Sequence, residues 1–75
     1  MSYKPDWELT KDSLKLSKED AKYLLAEIDY MHDRPEDMHK DIQEFSFRLE
    51  RMRMNIELCF LYYQTEIKRA ELDAK

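Results

Sequence analysis

Residues 38–70, MHKDIQEFSFRLERMRMNIELCFLYYQTEIKRA, decide the architecture of this chain. Within them Met38, Ile42, Phe45, Leu49, Met52, Ile56, Cys59 and Tyr63 follow one another in alternating steps of four and three. That spacing keeps one edge of an α-helix apolar over more than three heptads, the pattern of a coiled-coil seam. A second apolar line, Phe47, Met54, Leu58 and Leu61, runs along the far side of the same helix. One apolar stripe satisfies a surface helix with one neighbour, so a helix with two stripes needs two.

Upstream of this stretch the break comes at Asp33-Arg34-Pro35. A residue before proline is pushed out of helical geometry, while proline itself fits the first turn of a new helix. Glu36 and Asp37 then stand where carboxylates complement the helix dipole. The spacing predicts a long helix over 35–72 and a short one over 17–32. Ser17-Lys18-Glu19-Asp20 has the form of a capping box, with Leu16 placed to staple against Ala21. Ala21, Leu24, Leu25, Ile28 and Met31 share one face of the short helix. So short a link makes the two helices antiparallel neighbours, an all-α helical hairpin within one domain. Residues 1–16 read as an N-terminal arm. Trp7 and Leu9 alternate, as do Leu14 and Leu16, which admits a strand-like pairing or a single helical turn, with Trp7 as the anchor.

At 1.5 Å per residue the long helix spans about 55 Å and the short one about 22 Å. The short helix then covers the long one only as far as about Met52. Beyond it lies the run Leu58-Cys59-Phe60-Leu61-Tyr62-Tyr63, which has no polar side. A homodimer through the long helices is therefore expected, in antiparallel pairing, with Met52, Ile56, Leu58, Cys59, Phe60 and Tyr63 at its interface.

Composition limits the functions open to the chain. Seventy-five residues make one small domain, and a core that size is marginal unless stapled or enlarged by association. The single cysteine, Cys59, forms no internal disulfide and reads as a small apolar group of the seam in a reducing compartment. Glycine is absent, which argues against phosphate-cradling loops and nucleotide folds. No secretory signal is visible, and the longest apolar run falls far short of a membrane span, so a cytoplasmic protein without a membrane partner is expected. Glu36-x-x-His39 has the spacing by which helical bundles hold di-iron centres, and Asp29-x-x-His32 lies close by across the turn. Both pairs surround a polar turn instead of lining an apolar seam, so no metal or other cofactor is expected. Ser46 has no histidine within helical reach, and the carboxylates form a surface run without a cleft. The reading is not an enzyme.

The charge distribution says more than the net charge of −4. Seven acids, Glu27, Asp29, Asp33, Glu36, Asp37, Asp41 and Glu44, crowd around the turn against Arg34 and Lys40. Arg48, Arg51 and Arg53 form a short basic belt beside them, too few for direct nucleic-acid binding, whose affinity comes from cations on phosphates. Glu44 with Arg48, and Arg53 with Glu57, are ordinary helical pairs. In size, acidity and all-helical make-up, with the acidic run 27–44 as the residues behind it, the chain resembles the small phage-encoded proteins that bind and inhibit host replication, transcription or defence factors. Some of that class mimic DNA by presenting carboxylates to a basic channel. The resemblance implies an inhibitor working in the host cytoplasm, whose acidic residues occupy the DNA-binding surface of a host protein such as a sliding clamp. The alternative from the residues alone is a structural dimerisation module whose acids only keep it soluble.

Overall fold

A computed structural model describes residues 3–37 and 42–74, with Asp37 described by its backbone. Helix α1 spans Glu8–Asp33, a 3-10 turn spans Pro35–Asp37, and helix α2 spans Ile42–Asp73. Among the described residues there is no strand. The cross-helix pairs run in opposite senses along the two helices. Tyr3 and Asp6 meet Glu66, Trp7 meets Tyr63, and Asp20 meets Arg48 and Arg51. The result is an antiparallel helical hairpin measuring 61 × 14 × 13 Å.

Helix α1 begins nine residues earlier than the capping-box reading of Ser17 places it. Asp6 Oδ1 accepts the Glu8 amide at 3.0 Å, and the Lys11 amide donates to the Trp7 carbonyl at 2.9 Å, closing the first turn. These bonds supply acceptors for amide groups that a helix start leaves unpaired. Ser17 lies buried inside the helix, and its hydroxyl donates to the Ser13 carbonyl at 2.9 Å. The strand-like alternation of Trp7 with Leu9 and of Leu14 with Leu16 turns out to be two helical lines, Trp7 to Leu14 and Leu9 to Leu16. A spacing of seven is two helical turns, so each pair shares a side. Residues 8–16 are therefore helix, and only residues 3–7 precede it among the described ones.

The other boundaries follow proline chemistry. The Arg34 amide donates to the Tyr30 carbonyl at 3.0 Å and closes α1. Pro35 opens a 3-10 turn in place of the long helix expected there. The described part of α2 starts at Ile42; Met38, His39, Lys40 and Asp41 lie outside the described residues. With 26 and 32 residues the helices span about 39 and 48 Å, so α1 runs along most of α2 rather than its near half.

The inside of the hairpin is the main departure from the apolar pattern. On α1 the inward positions are Thr10, Ser13, Ser17, Asp20, Leu24, Glu27 and Met31, all buried or half-buried and in steps of three and four. On α2 they are Phe45, Arg48, Met52, Asn55, Cys59, Tyr62 and Glu66, in the same rhythm. Both lines are heptad seams; the α1 line is largely polar, and the α2 line mixes Arg48, Asn55 and Glu66 with Phe45, Met52, Cys59 and Tyr62. Leu24 is the one buried hydrophobic residue among those described, while Asp20 is 0 % exposed. Of the predicted long-helix seam, Phe45, Met52 and Cys59 are half-buried, whereas Leu49, Ile56 and Tyr63 turn outward. On α1, Leu24 faces inward as expected, but Leu25 and Ile28 are exposed.

Candidate functional site

The polar seam is fixed by one ionic cluster. Arg51 grips Asp20 bidentately, Nε to Oδ2 at 2.9 Å and Nη2 to Oδ1 at 2.5 Å. Arg48 Nη1 adds a bond to Oδ1 at 3.2 Å while its Nε holds Glu44 at 2.8 Å. The Arg51 bonds hold the Asp20 carboxyl below the ordinary carboxylate range; burial opposes this shift and Arg48 supports it. The guanidiniums also lie over aromatic rings, Arg48 on Tyr23 at 4.5 Å and Arg51 on Phe47 at 5.6 Å.

A second polar clasp ties residues 3–7 to the end of α2. Glu66 accepts the Tyr3 hydroxyl and, at 3.1 Å, the Asp6 amide, and it pairs with Arg69 at 3.1 Å. The Tyr3 bond, helped by the Asp6 amide and Arg69, keeps the Glu66 carboxyl below its ordinary range, and the same carboxylate raises the Tyr3 hydroxyl. The Tyr3 amide donates to Asp73, and Trp7 stacks on Tyr63 with ring centroids 6.1 Å apart.

With the seam polar, the large apolar side chains go to the two broad sides of the hairpin. On the first side Trp7, Leu14, Ala21 and Ile28 recur every seventh residue, and Ile42, Leu49, Ile56 and Tyr63 do the same on α2. The Trp7–Tyr63 stack sets the register, which brings Leu14 level with Ile56, Ala21 with Leu49 and Ile28 with Ile42. On the second side Leu9, Leu16, Tyr23 and Tyr30 repeat alongside Phe47, Met54 and Leu61, and Leu9 and Leu61 line one shallow groove. The second side is interrupted toward the turn, where the Arg48 and Arg51 guanidiniums lie over its aromatic rings. The first side runs apolar along the whole hairpin.

The predicted interface residues divide between these surfaces. Ile56, Tyr63 and the 61 % exposed Phe60 belong to the first side, Leu58 to the second, and Met52 and Cys59 to the seam. The predicted acidic residues divide as well. Asp29, Asp33 and Glu36 are exposed around the turn, Glu27 is half-buried in the seam, and Glu44 pairs with Arg48. Asp41 and the side chain of Asp37 lie outside the described residues. Asp20 and Glu66, the two buried carboxylates among the described residues, escaped the sequence reading. The signal that could have found Asp20 is the line of small and polar residues Thr10, Ser13, Ser17 and Asp20, as regular as the apolar lines beside it.

Among the described residues no group of three His, Cys, Asp or Glu side chains stands close enough to hold a metal ion. No described helix is long and apolar enough to cross a membrane. Comparison with protein-family models, with characterised proteins and with solved structures finds no match to this chain.

Proposed function

We propose that this chain is a non-enzymatic helical self-association module, working as a homodimer whose contact surface is a broad apolar side of the hairpin. One observation carries the reading: among the described residues a single buried hydrophobic residue, Leu24, stands against seventeen large hydrophobics left exposed. Isolated exposed leucines are ordinary on a protein surface, but contiguous apolar sides of this extent mark places where another macromolecule packs. A hairpin with so little apolar area inside has little to offset the entropy of ordering two long helices. Association therefore completes the core, and folding is coupled to it. Sedimentation equilibrium at micromolar concentration is expected to give twice the chain mass of 9.3 kDa. A well-folded species of single mass would overturn the reading.

A second reading, supported by the acidic end, is that the dimer engages a basic surface of a DNA-binding host protein and competes there with DNA. Asp29, Asp33 and Glu36 are exposed, while the described arginines nearby are turned elsewhere, Arg34 over Tyr30 at 4.8 Å and Arg48 and Arg51 onto Asp20. Such a contact is steered by charge and weakens with salt. Affinity capture from nuclease-treated lysate with salt elution tests it. Asp29→Lys, Asp33→Lys and Glu36→Lys together should abolish capture with helicity unchanged; capture that survives excludes the acidic end.

A further inference from the structure

Resting on the self-association reading, we infer that the occupant of the first apolar side is a second copy laid on it with a two-fold axis along the helices, so that α1 of each protomer covers α2 of the other. The footprint is adequate. The hairpin is 61 Å long and 14 Å across, an outline of about 850 Å² in projection, of the same order as the ~800 Å² of surface that each partner buries in an ordinary stable interface. The side is also the one that runs apolar from Trp7 and Tyr63 to Ile28 and Ile42, whereas the guanidiniums stacked on Tyr23, Tyr30 and Phe47 lie on the other side.

Charge at the edges selects among the ways two copies can meet. The outer edge of α1 beside this side carries Lys11, Lys15, Lys18 and Lys22, spaced by four, three and four and all exposed. No acid shares that edge over those residues. The outer edge of α2 carries Glu50 and Glu57, both exposed, with Arg53 between them and bonded to each. That segment keeps a net negative charge. Two helical pairs face to face form a four-helix bundle by one of two symmetric routes. With the two-fold axis across the helices, α1 lies on α1 and α2 on α2, and lysines meet lysines. With the axis along the helices, α1 lies on the partner's α2 and the lysine edge meets the glutamate edge. Symmetry preserves height along the axis in the second case. On the register set by the Trp7–Tyr63 stack, Lys11 then falls about two residues, roughly 3 Å along the axis, from the level of Glu57, and Lys18 as far from Glu50, distances a lysine side chain spans. Opposite charges at the rim fix orientation, and like charges exclude the alternative. An open groove on α2, lined by Leu49, Met52 and Ile56 and edged by Glu50, Arg53 and Glu57, lies where the partner's α1 would seat. One consequence is that both turns fall at the same end, where Asp29, Asp33 and Glu36 are presented twice.

Complementary charge reversal tests this. Lys11→Glu with Lys18→Glu in one chain, or Glu50→Lys with Glu57→Lys in another, should each weaken self-association about ten-fold. Mixing the two chains should restore it through a heterodimer, because every edge contact becomes opposite again. A spin label on Glu36→Cys in a Cys59→Ala background should report a second label on the order of 20 Å away, about two helix spacings. The crossed axis would separate the labels by nearly the 61 Å length of the molecule. Ile56→Asp should break the dimer, and Met54→Asp on the second side should leave its mass unchanged. A single-chain mass for the unsubstituted protein overturns the self-association reading itself. A dimer with distant labels, no preference for the mixed pair, or greater sensitivity at Met54 overturns the lengthwise arrangement alone.

Discussion

The seam between the helices and the broad sides of the hairpin invert the usual distribution of polarity. Inside, Asp20 is enclosed by two arginines and its neighbours along α1 are Ser13 and Ser17. Outside, Leu14, Ile56 and Tyr63 stand exposed on a continuous side. The two regions divide the labour of a fold. A buried ion pair is weak evidence for stability, because desolvation offsets much of its attraction, but leaving one partner alone is costly, so it holds helices in one register. Apolar area is non-directional and supplies the driving force, and here most of it becomes available only when a second surface covers it.

The largest expected effect comes from attacking the outside. Leu14→Asp with Ile56→Asp places charges on the apolar side and should lower self-association more than 100-fold by sedimentation. Helical circular dichroism should fall in the same concentration range if folding and association are one process. Next comes the inside. Asp20→Ala leaves two arginines without their carboxylate, and the expected loss is on the order of 2–3 kcal/mol in chemical unfolding. Replacing Asp20 by Leu, Arg48 by Met and Arg51 by Met together should recover most of that loss, because nothing charged is then left unpaired. The contrast between the single and triple variants separates register from driving force.

The pH profile probes the same division more gently. Asp20 and Glu66 both have carboxyls held below their ordinary range in the folded chain. The unfolded chain therefore takes up protons first as pH falls below about 4. The stabilisation from these two groups is complete above that range and is lost as pH drops through their lowered folded values. Thermal melts should show a falling midpoint below about pH 4, and Asp20→Asn should flatten the fall. Tyr3 works in the opposite direction. Its hydroxyl is raised by Glu66, so the clasp is intact below about pH 10 and is lost as pH rises through the raised value. Trp7 fluorescence should report that release, and Tyr3→Phe should abolish the alkaline step while leaving the rest of the curve in place. The smallest effect is expected at Thr10, whose Oγ1 is buried with no partner among the described residues. Thr10→Val should leave stability unchanged or raise it by up to about 1 kcal/mol, since it removes an unsatisfied hydroxyl at constant shape.

Much of the architecture was legible in the residues. The proline after Arg34 placed the turn, and the end of the long helix falls at Asp73, close to the expected residue 72. The start of α1 was not legible, because Ser17 opens a stretch with the form of a capping box inside a helix that Asp6 and Trp7 had already opened. A serine in mid-helix can return its hydroxyl to the carbonyl four residues back, which makes the same sequence serve as cap or interior. The expected interface residues were legible as apolar, and the fold distributes them, with Ile56 and Leu58 on opposite broad sides of the hairpin.

The sequence by itself determined that this chain is a pair of antiparallel helices broken at Pro35, with more apolar surface than one hairpin can bury. Helical period and proline geometry are local properties, written residue by residue. Which line of each helix faces its neighbour was decided only in three dimensions. Several lines repeat with the same heptad rhythm, and periodicity weights them equally. The choice rests on pairwise terms, Asp20 with Arg48 and Arg51, Glu66 with Tyr3 and Asp6, and Trp7 with Tyr63, joining residues far apart in the chain that meet only when the helices pack.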